Sequence, residues 1–210
     1  MPSRRVFIGL TLLGGTALLS GAAHRLWPPG ATTAAPGALP PDDICLVAPP
    51  FPFDPASGLA MDAARPIPAE ARCPVCGMFP ARQPRWAAQV IFANGDVQYL
   101  DSPLSLFLYL QNVPRYTVGQ QADRILAMHV TDLDSGAWVP ASQAVYVHGS
   151  RTPGPMRAGN LPAFGSEAAA QAFISREGGT AMSAEALRRA LPAGLQRLAP
   201  QNHGDHGAAS

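Results

Sequence analysis

Residues 86–111 open with Trp86-Ala-Ala-Gln-Val-Ile-Phe-Ala93, turn at Asn94-Gly95, return through Asp96-Val97-Gln-Tyr-Leu100, and pass Asp101-Ser102-Pro103 into Leu104-Ser-Leu-Phe107-Leu108-Tyr109. The first run is β-branched and aromatic and predicts a strand. Asn94-Gly95 supplies the positive φ angles of a tight hairpin turn, and Val97–Leu100 returns as the second strand. Ser102 is a preferred helix cap, and Pro103 fits the first helical position because its missing N–H needs no partner there. The apolar residues that follow give that helix a broad buried face. Residues 123–130 then predict a third strand, which completes a strand–strand–helix–strand unit.

The same order recurs downstream. Strands are expected at Ala137–Val139 and Ala144–His148, followed by a loop rich in Pro and Gly. A helix from Ser166 to about Arg176 stops at Gly178-Gly179, and a short strand follows near Thr180. The expected fold is therefore α+β, with two tandem ββαβ units in one domain over residues 73–192. A last short helix is expected at Ser183–Leu191.

Upstream, residues 28–72 hold eleven prolines and many alanines, so they should run as an extended linker. Ile44-Cys45-Leu46-Val47 and Phe51-Pro52-Phe53 are apolar patches that could dock on the domain. Residues 1–27 carry Ser3-Arg-Arg-Val-Phe-Ile8 and an apolar run to Ala23, the outline of a twin-arginine export signal. The run also has the length of an ordinary secretory signal or of an uncleaved membrane tether. It has no cysteine at a lipoprotein position. Residues 193–210 form a polar tail in which His203 and His206 could hold Cu(II) or Ni(II) weakly.

The 210 residues are 47% hydrophobic, enough for one ordinary core, and the formal net charge is +1. All fifteen basic residues are Arg and are scattered, which gives no basic stripe and excludes a nucleic-acid partner. Phosphate loops, serine-nucleophile elbows and zinc-protease motifs are missing from the sequence, so it reads as a non-enzyme.

Chemistry concentrates at Arg72-Cys73-Pro-Val-Cys76-Gly77-Met78-Phe-Pro80. Three soft sulfur atoms within six residues suit Cu(I), and Gly77 lets the chain fold back so that Met78 can point at the same centre. Met156, in an aperiodic Pro/Gly stretch, is the preferred distant ligand. Met128 fits core filling better, His129 must point to the face opposite Met128, His148 reads as a strand-end histidine, and Cys45 contributes only if its arm docks. Three readings compete for the cysteine pair: a copper site, a redox dithiol acting as a thiol-disulfide oxidoreductase, and a zinc or structural disulfide site. Pro80 and Pro84 oppose the helix that a thioredoxin-type pair needs, and zinc lacks two further ligands.

Cys73-Pro-Val-Cys76-Gly-Met78, the hairpin, Asp101-Ser-Pro103 and its helix, Ala144-Val-Tyr-Val147, Met156, Pro162-Ala-Phe164-Gly165 and the Ala-rich helix before Gly178-Gly179 together resemble the NosL family of nitrous oxide reductase accessory proteins. The resemblance spans about residues 70–185. It implies a periplasmic Cu(I) chaperone, a client copper enzyme (nitrous oxide reductase or a relative), and two ββαβ units like part of organomercurial lyase. Members are commonly lipoproteins, whereas this chain carries the twin-arginine outline instead, which leaves the client and the anchoring open.

Overall fold

A computed structural model describes residues 48–157 and 159–200. The export signal, Cys45, His203 and His206 lie outside the described residues. Both expected units are present. In the first, β1 (Ala88–Phe92) pairs antiparallel with β2 (Val97–Leu100) and with β3 (Ile125–Thr131), and helix α1 (Pro103–Gln111) and the short α2 (Val113–Tyr116) lie between β2 and β3 in sequence. In the second, β5 (Val145–His148) pairs with β6 (Ala163–Phe164) and β7 (Thr180–Ser183), with α3 (Glu167–Glu177) connecting them. Each unit thus places its first strand at the centre, its second on one side and the strand after the helix on the other.

Three local details differ from the sequence expectation. The strand expected to open the second unit is β4 (Trp138–Pro140), and it closes the first sheet, giving the order β2-β1-β3-β4. Its hairpin to β3 is fixed by Asp132, whose Oδ1 accepts from the amides of Asp134 and Ser135 at 2.8 and 3.1 Å. The second strand of the second unit is instead the two-residue β6, too short to leave a pattern. At the first hairpin only Gly95 has positive φ, at 86°. The Phe92 amide donates to Asp96 O and the Gly95 amide to Phe92 O, so the loop is the three-residue kind with a left-handed glycine.

Every residue of β1 is buried, although a strand alternates its faces. Ala88, Val90 and Phe92 point into the main core, together with Leu100 and with Leu104, Phe107 and Leu108 of α1. Gln89 and Ile91 face the other way, and residues 48–72 cover them. Phe51 bridges Val97 through two 2.8 Å backbone bonds and stacks edge-on to Tyr99. Gln89 exchanges hydrogen bonds with the Arg65 backbone at 3.0 and 3.2 Å. The Phe51-Pro52-Phe53 patch is therefore docked, with Phe53 beneath the Arg65 guanidinium.

The main core runs on into the second unit. Phe107 meets Tyr146 edge-on at 5.0 Å, and Leu161, Ala163, Ala184 and Leu187, the last two from α4 (Ala184–Arg189), join the same cluster. α3 packs on the far face of the second sheet, where Phe173 meets Phe164 at 4.9 Å. The short α5 (Ala193–Gln196) sets Leu195 into the main core. Asp132 also ties the units together: its Oδ2 accepts from the Gly165 amide at 2.8 Å, beside a bridge to Ala163. Among the described residues no helix is long and apolar enough to cross a membrane.

Candidate metal centre

The segment 73–78 is a turn rather than the start of a helix, and two 3-10 turns, Pro80–Arg82 and Pro84–Trp86, follow it. The prolines that head those turns stop any helix from extending through the cysteines. The turn closes on itself, with the Gly77 amide donating to Cys73 O and the Cys73 amide to Met78 O, both at 2.8 Å. This closure requires Gly77 at φ 74°, in the left-handed region where a side chain is strained.

The turn brings both sulfurs together with Asp101, the residue between β2 and the cap of α1. One ligand atom from each of Cys73, Cys76 and Asp101 lies within 4.8 Å of the others. Cys73 and Asp101 are buried and Cys76 is half-buried. Ser102, next to Asp101, caps α1 by accepting from the Ser105 amide at 3.2 Å, so Asp101 sits at the positive end of a nine-residue helix.

Asp101 Oδ1 makes one long contact, accepting from Ser102 Oγ at 3.5 Å, and Oδ2 is buried without a hydrogen-bond partner. A buried polar oxygen left unpaired costs about 1–3 kcal/mol, and more where the group is charged. A cation beside the thiols satisfies it. Neither cysteine is in a disulfide. Burial pushes the Cys73 thiol well above its ordinary range, and the hydrogen bond with Cys76 and the negative charges of Asp101 and Cys76 push it further, while the Asp101 amide against the sulfur pulls it back. A fully buried Cys73 with a raised pKa is itself a poor nucleophile, which leaves the half-buried Cys76 as the more accessible sulfur of the pair. A soft cation, by contrast, displaces the thiol protons and takes the two thiolates as its ligands, with the Asp101 carboxylate close by.

Met78 lines a cavity of about 390 Å³ together with Asp101, Phe79, Arg82 and Pro155. Met156, the next residue after Pro155, is half-buried against the core cluster that contains Cys73, and Cys76 packs on that same cluster. The structure thus gathers Cys73, Cys76 and Asp101 directly; Met78 lines a cavity that Asp101 also borders, and Met156 packs on the same large core cluster as Cys76. Met128 packs against the core, His129 Nε2 pairs with Asp62 O at 2.8 Å, and His148 ends β5. Asp101 is the site residue that sequence reading did not single out as a ligand. Its signal was its place between a strand end and a capped helix, where a carboxylate is ordinarily a turn residue.

The NosL family model matches residues 64–192. No curated protein matches the chain. A solved structure, the copper chaperone NosL from Shewanella denitrificans, is similar in fold, with a TM-score of 0.50 and 24% identity over 58% of this chain and 92% of that one. The family match takes in both ββαβ units and the whole of the cysteine turn, and on that ground the chain belongs to the NosL family.

Proposed function

We propose that this protein is an exported, non-enzymatic Cu(I) chaperone of the periplasm. Cys73 and Cys76 hold the ion as thiolates with the Asp101 carboxylate beside them, and Met78 and Met156 are the candidate thioether ligands. The observation that carries this reading is the buried Asp101 carboxylate, one oxygen of it unpartnered, clustered with two free thiols. A chaperone must also release its cargo. Cys76 is half-buried while Cys73 is almost wholly covered, so an acceptor ligand meets the Cys76 bond first and the Cys73 bond last. Thiol protons leave as copper enters and return as it departs.

The family and the solved copper chaperone of like fold support a copper-handling role. The sequence resemblance points to nitrous oxide reductase as the client, and the twin-arginine outline points to export. The test is to incubate the Cu(I)-loaded protein with copper-free nitrous oxide reductase. Recovery of the reductase's copper absorption, lost when Cys73→Ser/Cys76→Ser replaces the parent, supports this client. Recovery that is equal with the variant or with free Cu(I) at the same concentration removes it.

A further inference from the structure

Beside the cysteine turn stand two cations that make no ion pair among the described residues. Arg72 immediately precedes Cys73, and its guanidinium carbon lies over the Phe79 ring, 4.2 Å from the centroid. Arg82, from the next turn, lies over the same ring at 4.4 Å. Arg72 Nη1 makes one long contact to Gly77 O at 3.4 Å. The one ion pair among the described residues joins Arg189 to Glu185, so neither arginine is ion-paired there, although Arg82 shares a cavity with Asp101. Arg85, the next arginine, differs: its Nη1 donates to the carbonyls of Leu133 and Asp134.

Two like charges gathered on one ring repel each other, and a free surface arginine would swing away into water. Phe79 opposes that with a cation–π attraction of about 0.5–1 kcal/mol for each exposed guanidinium. Both groups are thereby held beside the wall formed by Met78 and Asp101, with their planar forks exposed.

We infer that Arg72, Phe79 and Arg82 form a docking contact for the acceptor protein, and that this acceptor carries carboxylates around its copper entry. The inference rests on the chaperone reading for the cargo, though not for the contact itself. Guanidinium forks pair with carboxylates bidentately, and a charged rim chiefly sets the rate and salt dependence of encounter. A bilayer is a poorer fit, because binding to anionic lipid draws on clusters of four to eight cations and this rim presents two.

The test compares two synthetic acceptor peptides with the same Cys-x-x-Cys centre, one flanked by four aspartates and the other by four lysines. The full-length Cu(I)-loaded protein should transfer copper to the aspartate peptide roughly tenfold faster at low salt, and the preference should fade as salt rises. In Arg72→Gln/Arg82→Gln the two rates, each taken relative to that protein's own Cu(I) affinity, should converge, and in Arg72→Glu/Arg82→Glu the preference should invert. Equal peptide preference in parent and variants overturns the inference. A metal-free arm separates it from the chaperone reading: the fluorescently labelled aspartate peptide, with serines for its cysteines, should bind the parent and not the Gln variant. If that holds while copper loading fails, the cargo assignment falls and the contact stands. If phosphatidylserine vesicles bind the parent and the aspartate peptide does not, the rim faces a membrane and the inference falls.

Discussion

The Asp101 carboxylate and the Cys73 thiol lie within 4.8 Å of each other in the interior, with Cys76 as near to both, and the Asp101 amide presses on the Cys73 sulfur. A carboxylate there is a liability in the metal-free protein and an asset once a cation arrives. Asp101→Asn separates the two effects, since it keeps the shape and removes the charge. The metal-free variant should be as stable as the parent or more stable, by about 1 kcal/mol, because an unpaired buried charge is gone. Its Cu(I) affinity should fall roughly 10–100-fold, the range seen when a group supporting a metal site is lost. Urea melts with and without Cu(I) read both effects, and a variant that loses stability and keeps full affinity would contradict the assignment.

Asp132 is the corresponding structural carboxylate. Desolvation opposes its ionisation, but the amides of Gly165, Ser135 and Asp134 and the Ser135 hydroxyl outweigh that and hold its carboxyl below the usual range. A depressed folded value means that the stabilisation is present above the ordinary carboxylate range and is lost as pH falls through the folded value. Asp132→Asn should cost about 1–3 kcal/mol at neutral pH, because one residue serves both the β3–β4 turn and the link to Gly165. The gap between parent and variant should narrow in acid, as pH falls below the ordinary carboxylate range and through the depressed folded value. Thermal melts at pH 7 and pH 2.5 check this.

Gly95→Ala tests the arm. A Cβ there would stand 2.6 Å from Phe53 Cβ, at a φ of 86° that already strains an alanine. The variant should lose about 1–3 kcal/mol and release the arm. Limited proteolysis should then cut near Met61, where the parent resists, and uncut variant would contradict the docked position of Phe53.

Much of this architecture was legible because local chemistry and tertiary structure agree. Ser102 caps α1 with Pro103 at its first position, Ser166 caps α3, and Gly178 ends it, all as the sequence indicates. The strands went astray where local pattern says least. β6 is two residues long, and β4 pairs backward to β3 because Asp132 folds the turn, a role that a lone Asp does not advertise. Docking of Phe51 depends on Val97 and Tyr99, about fifty residues away, so an apolar patch in a proline-rich segment was the only trace. At the site, the two cysteines and Gly77 announce a sulfur-bearing turn by spacing alone. Asp101 escaped because its partnership with Cys73 is made by the hairpin and not by sequence distance.

The most direct measurement is an anaerobic Cu(I) titration of the reduced protein against a chromophoric competitor, beside Cys73→Ser/Cys76→Ser. The account predicts tight binding by the parent and a loss of at least about a hundredfold, near 2.7 kcal/mol, in the variant. Equal, weak binding by the two proteins would contradict the assignment of copper to this turn.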